Sequence, residues 1–253
     1  MTDLSINLNK IALIRNSRET HLPNVVEMAA LIIAAGADGI TVHPRPDQRH
    51  IRAEDCLALK QRINVELNLE GNPFTEPRAS DRPNVGDYPG FLALVEQVKP
   101  AQVTLVPDSD DQLTSDHGFD LTKDGDRLRP IIDQLHQSGC RVSLFMDPDP
   151  ASMQLAADIG ADRIELYTEA YASAHRNGSW EEILDRYQSA AAAAHEAGLG
   201  VNAGHDLNLN NLPDFVIPEL HEVSIGHAFT VDCLLMGIDK AVAQYQIALG
   251  KAL

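Results

Sequence analysis

Basic side chains are scarce: 20 Lys and Arg stand against 37 Asp and Glu in 253 residues, a formal charge of −17. Phosphate backbones and anionic lipid surfaces attract Lys/Arg-rich faces, so this deficit argues against nucleic acid or a membrane as partner. Cysteine is sparse too. Cys56, Cys140 and Cys233 lie far apart and form no CxxC pair, which suits a reduced compartment better than a disulfide scaffold. No apolar run approaches the ~20 residues that cross a bilayer, and the opening MTDLSINLNK lacks a charged-then-apolar signal pattern. The expectation is a soluble, cytoplasmic protein. Several chemical signatures are also missing. There is no GxGxxG or GxxxxGK[ST] for a nucleotide, no HExxH, no HxH after the first strand and no GxSxG elbow. With ten scattered histidines, a metal hydrolase has little support, and no metal site is expected.

What is present is an apolar fraction of 44%, enough for a sizeable core, and a junction that repeats four times. AALIIAAGADGITVH (29–43), IIDQLHQSGCRVSLF (131–145), MQLAADIGADRIELY (153–167) and AAAAHEAGLGVNAG (191–204) each run from helical spacing through a glycine into a short β-branched run. Glycine ends a helix by accepting the left-handed conformation, and strands buried on both faces read as continuous apolar runs. Helix–Gly–strand recurring along one chain predicts βα units and a parallel sheet. Eight strands are expected, at 4–8, 39–43, 64–70, 101–106, 141–146, 163–166, 200–203 and 222–225. The clearest helices are expected at 23–35, 88–98, 127–138, 151–159, 180–197 and 228–249. Eight strands in this length predict an α/β fold, a (β/α)8 TIM barrel with extra short helices and long βα loops, in one domain over 1–253. The Pro/Gly-rich stretch 71–90 reads as one such loop rather than a linker.

A barrel places its active site at the C-terminal strand ends, so those positions form one set of neighbours. They are Asn7, Asn9 and Lys10; His43 and Arg45; Glu70; Pro107 and Asp108; Asp147; Glu165; Asn202 and His205, with Asp206 beside it; and Gly226 and His227. In TVHPRPDQRHI (41–51), Arg45 suits a bidentate grip on a phosphate or carboxylate, with Arg49 and His50 as a second contact; incidental surface charge is the alternative. Glu70 closes NVELNLE and shares a face with Glu66 and Asn68. Burial would raise it into the range of a general base, unless an arginine pairs with it. His205 follows a strand and a glycine turn, placed as a general acid or as a structural histidine. Gly226 and His227 sit where the last strand becomes a helix, whose open N–H groups favour an anion. Two anion regions suggest two phosphorylated substrates or one bisphosphate. The charge distribution agrees: residues 1–62 hold 8 basic and 7 acidic side chains, leaving 12 against 30 for the remainder.

The segments INLNKIALIRNSRET, GADGITVHPRPDQRHI, VELNLEGNP, VTLVPDSDDQLTSDHG, RVSLFMDPD, RIELYTEAYA, VNAGHDLNL and EVSIGHA resemble the pyridoxine 5′-phosphate synthase family of the deoxyxylulose-dependent vitamin B6 pathway, over residues 4–245. The resemblance implies a (β/α)8 barrel assembled as a homo-octamer, a tetramer of dimers, working without metal or organic cofactor. It implies condensation of 3-amino-2-oxopropyl phosphate with 1-deoxy-D-xylulose 5-phosphate to pyridoxine 5′-phosphate, phosphate and water. His43 and Glu70 would accept protons, His205 would donate one, and Glu165 would assist later transfers. Asn7 and Arg18 would hold the amino-oxopropyl phosphate, with Gly226 and His227 at its phosphate. Arg45, His50 and Thr114 would hold the deoxyxylulose phosphate, Thr114 from a loop that resembles a lid. The chain departs from the commonest pattern at Asn9-Lys10 (Asp-His elsewhere), Glu169 (Gly) and Asp206 (Gly), and these read as variation within one activity.

Two other readings compete. Lys10 at the first strand end would serve a Schiff-base aldolase acting on sugar phosphates. A barrel without turnover would bind a phosphorylated metabolite or act as an assembly subunit.

Overall fold

A computed structural model describes residues 1–251 other than Glu19, Asp110, Asp111 and Leu113. Eight parallel strands close into a barrel in sequence order: β1 (Asp3–Asn7), β2 (Gly39–Val42), β3 (Glu66–Gly71), β4 (Gln102–Leu105), β5 (Arg141–Met146), β6 (Arg163–Tyr167), β7 (Gly200–Gly204) and β8 (Leu220–Ile225). Around them run α1 (Asn9–Asn16), α2 (Val25–Ala34), α3 (Ala53–Arg62), α4 (Phe91–Val98), α5 (Leu121–Gln137), α6 (Pro150–Asp158), α7 (Glu169–Arg176), α8 (Glu181–Glu196), α9 (His227–Met236) and α10 (Ile238–Ala248). No helix among the described residues is long and apolar enough to cross a membrane.

The four repeated junctions behave as expected. Gly36, Gly139, Gly160 and Gly198 all take positive φ, between 80° and 111°, where a β-carbon would be strained. Three helices depart from their predicted spans. The predicted 88–98 helix starts only at Phe91, because Tyr88 instead pairs antiparallel with Arg78 across the long β3–α4 loop. The predicted 127–138 helix begins six residues earlier, where the Asp120 carboxylate accepts from Thr122 N at 3.2 Å and caps it. The predicted single helix 228–249 is two, broken at Gly237 (φ 84°, ψ 162°). The predicted first strand ends at Asn7, so Asn9 and Lys10 belong to α1.

Alternation along the strands sorts the side chains in an unusual way. The outward set, including Leu4, Ile6, Ile40, Val42, Leu67, Leu69, Val103, Leu105, Val142, Leu144, Ile164, Leu166, Val201 and Val223, is apolar and buried against the helices. Barrels of this type commonly fill their interior with branched aliphatics. Here the inward set is polar: Ser5, Thr41, Asn68, Gln102, Thr104, Ser143, Glu165, Asn202, Glu222 and Ser224 are all buried. Several of these groups bond one another across the lumen, while Gln102 Nε2, Ser143 Oγ and Glu165 Oε2 have no hydrogen-bond partner among the described residues. Ser5 Oγ and Thr41 Oγ1 are 2.7 Å apart, Thr104 donates to Asn68 at 3.1 Å, and Arg163 donates to Asn202 at 3.1 Å. Arg141 spans from β5 to Glu66 on β3 and to Gln102 at 2.9 Å. Burial, then repulsion from Glu66 and Glu165, pushes the Glu222 carboxyl up to about 8 against the pull of Arg163 and Arg141.

That shift has a thermodynamic sign. Between about pH 4.5 and 8 the folded chain keeps the Glu222 proton that the unfolded chain has lost, so folding stability falls as pH rises through this window. Glu222→Gln, which mimics the protonated form, is expected to raise the Tm by a few degrees at pH 8–9. The gain should shrink toward zero near pH 5, read by thermal melts across pH.

Candidate active site

The sequence-predicted residues converge at the C-terminal mouth of the barrel, and backbone register explains why. β1 and β2 pair with Asn7 opposite Thr41, and β2 and β3 pair with Val42 opposite Leu69. His43 therefore emerges beside Glu70. Asn7 donates to Glu70 Oε2 at 3.3 Å, and its Oδ1 accepts from Asn9 N at 2.9 Å. Asn9 in turn accepts the backbone N–H of His43 at 2.9 Å, so its amide positions the end of β2.

His43 is buried between two carboxylates, with Nδ1 3.9 Å from Glu70 Oε2 and Nε2 4.0 Å from Asp108 Oδ2. Burial, with the nearby charges of Arg45 and the other histidines, holds its imidazole well below the ordinary histidine range. Burial, then repulsion from Asp108 and Glu222, pushes the Glu70 carboxyl up to about 8, while Arg45 pulls the other way. The Glu165 carboxyl is raised well above its ordinary value by burial and then by Glu70, with Thr104 opposing. It lies against Gly204, where a β-carbon would overlap Glu165 Oε1; the glycine is what makes room for this carboxyl.

His205 and Asp206 both take positive φ, 78° and 56°. Thr168 holds this turn by donating to the carbonyls of Gly204, at 2.8 Å, and His205. The imidazole packs edge-on to Tyr167 (ring centroids 5.2 Å apart) and at a tilt to Phe145 (5.6 Å). Burial lowers its pKa, with Asp206 opposing. Asp206 itself is exposed, and a left-handed φ is one that Gly, Asn and Asp accept readily.

Arg45 is buried. It donates to Asp108 Oδ2 and to the carbonyls of Ser109 (3.4 Å) and Gln112 (3.1 Å) in the β4–α5 loop. His50 stands 6.4 Å from His43 by ring centroid and accepts from Ile51 N through Nδ1 at 2.9 Å. Burial followed by Arg45, Arg49 and Lys10 lowers its pKa to about 3. Its loop is tied to α1 and α3 by Arg15, which bonds Asp55 at 2.5 Å and the His50 carbonyl at 2.9 Å. Gly226 caps α9, and a β-carbon there would sit 3.3 Å from Asn7 Cβ, so the α9 N-terminus and His227 adjoin the Asn7 end of the site.

Three residues stand apart. Arg18 is exposed and lines a separate cleft of about 510 Å³ with Asn16, His21, Arg52 and Arg82. Thr114 is exposed in the β4–α5 loop, and Lys10 is exposed on the first turn of α1. An aldolase lysine needs an enclosed, desolvated amine, and Lys10 lacks that setting. Sequence reasoning gave no role to Asp108, although it follows the fourth strand, nor to Ser115, Phe145 and Tyr167. Phe145 and Tyr167 share the inward phase of their strands, a signal that could have found them. Among the described residues no three His, Cys, Asp or Glu side chains gather as a metal site.

The family model described as "Pyridoxal phosphate biosynthesis protein PdxJ" matches residues 4–251. Pyridoxine 5′-phosphate synthase from Xanthomonas campestris pv. campestris (strain B100) is 53% identical over 249 residues, covering 96% of this chain and 94% of that protein. The synthase from Xylella fastidiosa (strain 9a5c) is 51% identical, covering 96% and 93%. Among solved structures, 3-keto-L-gulonate-6-phosphate decarboxylase from Vibrio cholerae O1 biovar El Tor superposes with a TM-score of 0.63 at 10% identity, covering 98% and 97%. The tryptophan synthase alpha chain from Legionella pneumophila gives 0.61 at 12%, covering 99% and 91%. At such identities these two share the barrel alone. The match across nearly the whole chain places it in the PdxJ family, the family of the pyridoxine 5′-phosphate synthases.

Proposed function

We propose that this chain is a pyridoxine 5′-phosphate synthase that condenses 3-amino-2-oxopropyl phosphate with 1-deoxy-D-xylulose 5-phosphate, releasing phosphate and water. The observation that carries the reading is the convergence of His43, Glu70, Glu165 and His205 with Arg45 and Asn7 at one barrel mouth. Imine formation, phosphate loss, ring closure and aromatisation need protons moved at several adjacent atoms. Buried groups with shifted pKa values suit that work. His43, kept neutral, is the first proton acceptor. Glu70 shares that role once deprotonated, and Glu165 takes part in the later transfers. His205, also neutral, donates from its ring N–H while Tyr167 and Phe145 fix its plane. One phosphate binds at Arg45 with His50 and Thr114. The other binds at the α9 N-terminus, where Gly226 and His227 offer N–H groups beside Asn7. Lys10 and Asp206 lie at the rim as further substrate contacts, and Asn9 acts through the His43 amide.

The proposed assembly is a homo-octamer. Its support is apolar surface on two helices that pack together: Leu13 and Ile14 on α1, and Val231, Leu234 and Leu235 on α9, are exposed, the last two at 77%. In that assembly Arg18, outside the cluster in its own subunit, reaches substrate from a neighbouring one.

The purified protein, given both substrates without added metal or cofactor, is expected to release inorganic phosphate together with a 3-hydroxypyridine chromophore; neither appearing would end the proposal. His205→Ala and Glu70→Gln should each lower kcat by roughly 10²–10⁴-fold while the fold is retained by circular dichroism. A base whose pKa stands near 8 gains activity as pH rises through that value. The acidic limb of kcat/KM should therefore lie near pH 8 rather than 4.5, and Glu70→Gln should remove it. Leu234→Glu with Leu235→Glu should shift the light-scattering mass to a smaller species.

A further inference from the structure

Asp108 is the buried titratable group that the reaction leaves without a role, and its contacts define one. Its carboxylate is 3% exposed. Oδ2 takes the guanidinium of Arg45 and the hydroxyl of Ser115, at 2.9 Å, and stands 4.0 Å from His43 Nε2. Its backbone carbonyl accepts from Asn72 at 2.7 Å, which fixes the residue to the end of β3. Oδ1 has no hydrogen-bond partner among the described residues.

Arg45 completes the picture. Its Nη1 is spent on the carbonyls of Ser109 and Gln112, its Nη2 on Asp108, and only 4% of its surface is open. Arg49 reinforces the same loop by donating to the Gln112 carbonyl at 2.7 Å. The guanidinium face that suits a phosphate is thus already filled by an internal carboxylate and two loop carbonyls. A phosphate dianion entering beside Asp108 would meet like charge at contact distance in a site of low dielectric, which is strongly unfavourable. One of the two anions has to leave.

We propose that Asp108 is a positioning residue that occupies the phosphate place on Arg45 in the empty enzyme, and that the substrate's phosphate binds by displacing it. This rests on the reading of Arg45 as a phosphate ligand. The exchange is of ionic and hydrogen bonds only. The Asp108 carboxylate gives up Arg45 and keeps Ser115, its backbone stays anchored to Asn72, and the guanidinium passes to the phosphate oxygens. The Gln112 carbonyl keeps its donor in Arg49, so the loop stays tied to the 43–52 segment while Arg45 turns to the phosphate. Asp108 also sets a threshold against weaker anions: a monoanion cannot match a buried carboxylate, and a dianion can.

The test uses inorganic phosphate as probe. In Asp108→Asn the side chain keeps its shape and loses its charge. Inorganic phosphate should then bind about tenfold tighter than to the wild type by isothermal titration, with chloride and acetate gaining as competitors. The KM for deoxyxylulose phosphate should fall alongside kcat, a split that a merely loosened fold would not give. Equal or weaker phosphate binding by the variant overturns the proposal while leaving Arg45 as a ligand. No phosphate binding by the wild type overturns both. Should the variant not fold, Ser115→Ala decides: without the hydroxyl that holds the displaced carboxylate, phosphate should bind severalfold weaker than to the wild type, and unchanged or tighter binding overturns the proposal.

Discussion

Everything at the mouth of this barrel depends on the cost of burying carboxyl groups together. Glu70, Glu165, Glu222 and Asp108 share a lumen with few compensating cations, and each has its pKa raised first by loss of water. An isolated charge in that setting would be prohibitive, so the groups keep protons, share donors or borrow an arginine. The protonation pattern follows: carboxyls that hold protons longer than usual face imidazoles that give them up sooner than usual. The usual order of the two groups is thereby inverted: the carboxyls hold protons at a pH where the imidazoles are already neutral.

The polar lumen and the apolar outer layer are two faces of one alternation. Each strand sends alternate side chains inward to a polar network and the ones between them outward to the helices. The hydrophobic stabilisation of the fold is therefore located between barrel and helices, and the lumen contributes specificity of register instead. A one-residue slip of any strand would put leucine against glutamate across the barrel and strip both layers of their partners.

Much of this was legible beforehand. The four helix–glycine–strand junctions marked β2, β5, β6 and β7 because a helix end needs a left-handed residue, and short apolar runs marked the other four strands. The strand ends then pointed to His43, Glu70, Glu165, His205 and Arg45 without reference to contacts. Three kinds of feature escaped. The start of α5 was hidden because its first turn, LTKDG, is polar and its cap lies in the preceding loop. The break at Gly237 was hidden because the apolar spacing continues across it. Asp108 was seen as a strand end and given no work, since nothing in sequence says that an arginine 63 residues away closes on it. Arg18 marks a different limit: its proposed contact lies with another subunit, and single-chain geometry has no place for it.

The turn at His205 and Asp206 has a bearing on how far this chain could be stabilised. Replacing a non-glycine residue at positive φ by glycine relieves backbone strain, set against the larger conformational entropy that glycine loses on folding. At Asp206 that route is open, because the side chain is exposed and the backbone path is the same with either residue. At His205 it is closed, because the strained residue carries the imidazole. Thr168, between β6 and α7, holds this turn through two hydrogen bonds to its carbonyls, so selection for thermal tolerance would meet resistance at 168 and 205, and at 206 only from the proposed substrate contact.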